Sequence, residues 1–240
     1  MIQNTLLVVA MPINNHKADT RTIITGWINL LTNFFGKNEI TKLLLLDNSS
    51  NAETAKILTK LQEEYPDKIE LVFQGKTKEN EALVNTYKEA LKLNADYVFQ
   101  VNADASLLPD EFHKIWERYQ IGKLVIGFRQ RSAKVSFLLK LVIQLLFKVE
   151  IKDAAIPYRL IQSDYLKALI EQLPQPLPMS PNTYMAVLAK YSGMGLHNVP
   201  IEVNVKYETS KTEACITELF KRYFNIKRSA KRIANLNRPV

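Results

Sequence analysis

The chain has 240 residues, 47% of them hydrophobic and 23% charged, which suits one large core and argues against general disorder. Its one cysteine, Cys215, excludes an intramolecular disulfide and suits a reducing compartment. The formal net charge of +8 is compatible with nucleic acid, anionic lipid or a phosphorylated substrate, but the excess is gathered at one end. After Glu218 come Lys221, Arg222, Lys227, Arg228, Lys231, Arg232 and Arg238, with no acid among them.

The start, Met1 through Gln3-Asn4-Thr5 into a short apolar run, lacks the charged-then-apolar layout of a secretory signal, so a cytoplasmic protein is expected. Leu6 to Ala10, closed by Pro12, reads as a buried strand. A helix follows from about Asp19 to Phe35, with Ile23, Ile24, Trp27, Leu30, Leu31 and Phe34 on one face. Leu43 to Leu46 is a second strand, ending on Asp47-Asn48-Ser49-Ser50, residues suited to a turn and a helix start. The alternation then repeats: a helix from about Ala52 to Tyr65, a strand from Ile69 to Phe73, a helix from about Asn80 to Leu93, and a strand from Tyr97 to Val101. Pro109 opens a further helix carrying Phe112, Ile115, Trp116 and Tyr119, and Leu124 to Phe128 is a fifth strand.

Strands alternating with helices predict an α/β fold, with a mostly parallel sheet and helices on both faces. Ligands of such sheets sit at the carboxyl ends of the strands.

The second half is less regular. Val135 to Val149 is strongly apolar but interrupted by Lys140 and Lys148, too short and charged to cross a bilayer. A core helix and a membrane-surface helix both remain open. Pro174, Pro176, Pro178 and Pro181 mark a rigid loop before a helix from about Asn182 to Tyr191. Val199 to Val205 reads as a strand, and the basic tail from about Glu213 as a helix.

The fourth strand carries the strongest chemical signal. It runs Ala95-Asp96-Tyr97-Val98-Phe99-Gln100-Val101-Asn102-Ala103-Asp104, and Leu107-Leu108-Pro109-Asp110-Glu111-Phe112 comes after it. Asn102 and Asp104, two residues apart at a strand exit, can aim oxygen donors at one hard divalent cation that bridges a diphosphate. The other reading is a strand cap and a polar turn. The strand exits Ala10-Met11-Pro12-Ile13-Asn14-Asn15-His16 and Asp47-Asn48-Ser49-Ser50, the loop from Lys76 through Lys78 to Asn80, and Gly127-Phe128-Arg129-Gln130-Arg131 complete an ordered set.

In that order these segments resemble family-two GT-A glycosyltransferases. The resemblance makes Asn102 and Asp104 the counterpart of the Asp-x-Asp metal motif for Mn2+ or Mg2+. It makes Pro12, Asn14, Asp47, Asn48, Lys78 and Asn80 the nucleotide-binding positions. Asp47-Asn48-Ser49-Ser50 is similar to the family's Asp-Asp-Gly-Ser, where an Asp can accept from the nucleobase N–H.

Asp153-Ala154-Ala155-Ile156-Pro157-Tyr158-Arg159 resembles the Asp-x-x-x-(Pro/Gly)-Phe-Arg segment of the polyprenyl-phosphate, dolichyl-phosphate mannose synthase-like group. Val199-Pro200-Ile201-Glu202-Val203 resembles its Glu-Val-Pro-Val strand. In that group the interval occupied here by Val135 to Val149 lies at the membrane interface.

The resemblance implies inverting transfer of a sugar from a UDP- or GDP-linked donor to a polyprenyl phosphate or a cell-envelope glycan. Arg129, Arg131 and Arg159 would grip phosphate bidentately, the other reading being surface or structural ion pairs, and Asp153 would act as base, acceptor contact or helix cap. A GT-A domain over 1–210 with a basic amphipathic helix over 211–240 is the expected organisation, and the tail suits an anionic membrane or a helix packed on the domain.

Several positions depart from the family pattern. Asn102 stands for an acid, His16 for Glu, and Asn48-Ser49 for Asp-Gly; the Asn80 loop lacks a glycine, and Lys206 to Lys211 lacks Arg-x-x-Gly-x-Ser. A catalytically weak or silent nucleotide-binding, membrane-associated relative is therefore the alternative. Nucleic acid is set aside, because no recognition motif accompanies the charge.

Overall fold

The computed structural model describes residues 5–14, 20–36, 41–129, 134–178, 180–204 and 212–236. The architecture is α/β, with mostly parallel strands and helices packed around them. The chain divides into two compact units, Met1–Phe112 with Val203–Tyr207, and His113–Glu202 with Glu208–Val240.

The first unit contains β1 (Leu7–Ile13), α1 (Thr20–Phe35), β2 (Thr41–Asn48), α2 (Ala52–Glu64), β3 (Ile69–Gln74), α3 (Glu79–Lys92) and β4 (Tyr97–Val101). Its strands run parallel in the order β3-β2-β1-β4. Every residue of β1 is buried, as expected for a strand covered on both faces. Pro12 is tolerated there because the strand is ending. The register sets Ile13 beside Asp47 and Asp47 beside Phe73, so these strand exits lie at one level.

Behind the exits, Trp27 of α1 meets Phe99 of β4 with ring centroids 5.5 Å apart, and Phe99 meets Phe112 at 5.0 Å. That aromatic cluster anchors β4 and the chain leaving it against α1. A single 3-10 turn, Pro109–Glu111, precedes Phe112.

The second unit contains α4 (Phe112–Trp116, whose first residue closes the first unit), β5 (Leu124–Arg129), α5 (Lys134–Phe147), β6 (Tyr158–Gln162), α6 (Ser163–Glu171), α7 (Pro181–Tyr191), β7 (Leu196–Ile201) and α8 (Thr212–Leu236). β5 lies between β6 and β7, antiparallel to the first and parallel to the second. A methyl group on Gly127 would sit 2.9 Å from Ile201 Cδ1 and 3.2 Å from Tyr158 Cδ1, so glycine lets those side chains close over β5.

Three expectations shift. The helix after Pro109 ends at Trp116, and Tyr119 instead stacks on the Trp116 ring from a turn, 4.6 Å away and 8° from parallel. The last strand begins at Leu196 and ends at Ile201. β6 and α6 have no counterpart among the expected elements, because Arg159 interrupts the apolar run of β6; the structure buries that arginine completely.

Candidate active site

The carboxyl end of the first unit gathers polar side chains around Asn48. Its Nδ2 donates to Asn14 Oδ1 and to the Thr77 carbonyl, each at 3.0 Å. Its Oδ1 accepts from Gln74 Nε2 at 3.1 Å, the Thr77 N–H at 2.9 Å and Thr77 Oγ1 at 3.0 Å. Asn85 Nδ2 extends the network to Gln74 Oε1 at 3.1 Å. Asn14 and Asn48 are therefore brought together with the loop before α3. The carboxamide of Asn48 meets both needs from one planar group, Nδ2 donating and Oδ1 accepting.

Asp47 lies beside this hub, 3% exposed, with Oδ1 accepting from the Ser50 N–H at 3.0 Å. The turn needs a left-handed residue, and Ser49 takes that conformation at φ 59°. At the start of α3, Lys78 is exposed while Glu81 reaches back to its N–H at 3.4 Å, and Asn80 Oδ1 accepts from the Glu81 N–H. The first turn also carries Glu79, so the start of α3 holds two carboxylates and is capped by its own side chains.

Asn102 and Asp104 lie just beyond β4. Asn102 Oδ1 accepts from Gln100 Nε2 at 3.2 Å. The Asp104 carboxylate accepts from Ser106 N at 2.9 Å and from Ser106 Oγ, both through Oδ1. The turn is pinned where Leu107 bridges Val203 and Asn204 N–H donates to the Ser106 carbonyl at 2.9 Å.

This donor set fits a hard cation. Asp104 presents Oδ2, Asn102 adds an amide oxygen, and the remaining ligands would be phosphate oxygens and water, the usual arrangement for Mg2+ with a nucleotide. Among the described residues no cluster of three His, Cys, Asp or Glu side chains could hold a metal by itself.

In the second unit Arg129 and Asp153 form a bidentate pair, Nε to Oδ2 at 2.7 Å and Nη2 to Oδ1 at 3.1 Å. Asp153 is buried and Arg129 nearly so. Arg159 behaves differently. It is 0% exposed, and its guanidinium donates to the carbonyls of Ala154, Ile156 and Asn182 at 2.6–3.2 Å. It ties the loop that carries Asp153 to the first turn of α7.

The sequence matches the family described as Glycosyl transferase family 2 over residues 9–184. The chain belongs to glycosyl transferase family 2.

This transferase also shares its fold with solved structures. Glucosyl-3-phosphoglycerate synthase from Mycobacterium tuberculosis, in complex with uridine-diphosphate, is 13% identical with a TM-score of 0.63, over 95% of this chain and 81% of that one. The mannosyltransferase PcManGT from Pyrobaculum calidifontis, in complex with GDP-Man and Mn2+, is 12% identical with a TM-score of 0.57, over 100% and 77%. S. aureus TarS 1-349 in complex with UDP is 16% identical with a TM-score of 0.52, over 98% and 67%. No curated protein sequence matches the chain. These likenesses establish the GT-A fold.

Arg131 and His16 of the transferase lie outside the described residues, as does the stretch from Lys206 to Lys211. Gln74, Thr77 and Ser106, which hold the site's side chains in place, are not singled out by sequence reasoning. A glutamine closing an otherwise mostly apolar strand is the signal that could have found Gln74.

Proposed function

We propose that this glycosyltransferase binds a UDP- or GDP-linked sugar at the strand exits of the first unit. The observation that carries the reading is the shared level of Asn14, Asp47, Asn48 and the loop before α3 at the ends of parallel strands. Asp47 is assigned to the nucleobase, since Asn48 is held on both its donor and acceptor sides by the protein. Pro12 and Asn14 are assigned to the nucleotide as well, and Lys78 and Asn80 to its phosphates. The neighbours solved with UDP or GDP-Man support the donor class.

Asp104, with Asn102, would hold Mn2+ or Mg2+, a reading supported by the Mn2+ in the mannosyltransferase complex. Bound there, the cation supplies charge neutralisation for the departing diphosphate. The transfer is inverting: an acceptor oxygen bonds to the anomeric carbon from the face opposite the leaving group, and the nucleoside diphosphate departs with the electron pair of the broken C–O bond.

Arg129 and Arg131 are assigned to the acceptor. Asp153 orients the Arg129 guanidinium, and Arg159 holds the loop that carries Asp153. Both Asp153 oxygens are taken up by the Arg129 guanidinium, an arrangement that favours an acceptor already an anion over a sugar hydroxyl in need of a base. A polyprenyl phosphate meets that need, and the cytoplasmic membrane face is where such a lipid would be used.

Calorimetric titration with UDP- and GDP-sugars, with and without Mn2+, tests the donor assignment. The expected result is Mn2+-dependent binding that Asp104→Ala removes. Folded protein that binds none of the donors would sink the assignment.

A further inference from the structure

Two helices of the second unit are apolar on faces that a protein in water ordinarily keeps polar. In α5, Leu139, Ile143 and Phe147 are buried, while Phe137, Leu141 and Leu145, rotated about half a turn from them, are exposed. Phe137 is 64% exposed and Leu145 71%. A helix apolar on both sides is built to be covered twice. In α8, Leu219, Ile226, Ala230 and Ile233 face inward, whereas Phe220 and Phe224 face outward, Phe224 78% exposed. The two helices adjoin: the Phe147 ring lies 5.4 Å from Tyr223, and Tyr223 lies 5.2 Å from Phe224.

Charge decides what covers them. Lys221, Arg228, Lys231 and Arg232 are exposed on α8, and residues 134–149 contain Lys134, Lys140 and Lys148 but no acid. Glu150, the next acid, is engaged by Lys140 at 2.8 Å. A second copy of the chain would set cations against cations. The complement is a surface that is anionic outside and apolar beneath. Among the described residues no helix is long and apolar enough to cross a membrane.

We propose that α5 and α8 dock the protein on an anionic lipid bilayer, with Phe137, Leu141, Leu145, Phe220 and Phe224 entering the headgroup–acyl boundary. Lys221, Arg228, Lys231 and Arg232 then meet lipid phosphates. Docking of this kind needs neither donor nor acceptor, so it stands or falls apart from the transfer reaction.

Flotation of the full chain with phosphatidylcholine vesicles, and with vesicles containing about one part phosphatidylglycerol in four, tests the docking. The protein is expected on the anionic vesicles only, with binding that weakens as salt rises. Leu145→Ser with Phe224→Ser should lower binding at least about tenfold. Lys231→Glu with Arg232→Glu should do the same while leaving donor titration unchanged. Binding that is absent, indifferent to lipid charge, or unaltered in both variant pairs overturns the proposal. So does a concentration-dependent dimer that Phe224→Ser dissolves in protein that ignores vesicles.

Discussion

The Asn48 carboxamide and the Thr77 peptide meet edge to edge, Nδ2 donating to the Thr77 carbonyl at 3.0 Å and Oδ1 accepting from the Thr77 N–H at 2.9 Å. A backbone carbonyl can only accept and a backbone N–H can only donate, so the pair sets the orientation of the amide. Asn48→Asp places a carboxylate against the Thr77 and Asn14 oxygens. It is expected to cost about 1–3 kcal/mol, read as a lower urea midpoint with an unchanged slope. An unaltered midpoint would mean that the hub contributes nothing to folding.

Ser49 holds a left-handed backbone without being glycine. Ser49→Gly removes the Cβ clash and is expected to stabilise the protein by about 1 kcal/mol, seen as a rise in Tm. A fall in Tm would show that the serine side chain matters more than the backbone.

Asn102→Asp adds a full charge beside Asp104. In the presence of UDP, Mn2+ affinity is expected to rise at least about fivefold, since one unit charge near a cation contributes about 1 kcal/mol even at the dielectric of water. Mn2+ titration with and without UDP reads this. Equal Mn2+ affinity in the two proteins would remove position 102 from the metal site.

Arg159→Met strips the donors from the carbonyls of Ala154, Ile156 and Asn182. A loss of about 3 kcal/mol or more is expected in thermal unfolding, and Arg159→Lys should rescue little, because an ammonium cannot reproduce the planar fork. Wild-type stability with lost turnover would instead assign Arg159 to substrate.

Tyr184 of α7 is buried, and burial raises its phenol above the ordinary value, with Ser229 and Arg222 of α8 opposing the rise. A folded pKa above the unfolded one gives stability that is complete below about pH 10 and is lost as pH climbs through the folded value. Alkaline unfolding should therefore steepen above about pH 10, and Tyr184→Phe should flatten it. Parallel curves for the two proteins would count against the assignment.

Much of the first unit is legible in the chain. Short apolar runs closed by polar residues mark parallel strands buried on both faces, and the helical spacing between them is strong enough to read unaided. The observed α1, α2 and α3 each begin and end within a residue of the periodic pattern. β6 is not legible, because an arginine inside a strand looks like a surface or ligand-binding group until the carbonyls that satisfy it are brought around it.

The sequence by itself determined the α/β alternation, the order of polar residues at strand exits, and the acid-free basic tail, since each depends on near neighbours along the chain. Tertiary structure alone decided that Asn48 is held by Thr77, 29 residues away, that Asp153 is gripped by Arg129, and that Arg159 serves the backbone. It also decided which apolar stripe of α5 faces inward, because a helix hydrophobic on both sides carries no sign of which side meets the core. Hydrogen bonds and burial between distant segments depend on how the elements pack, and local residue type does not specify that packing.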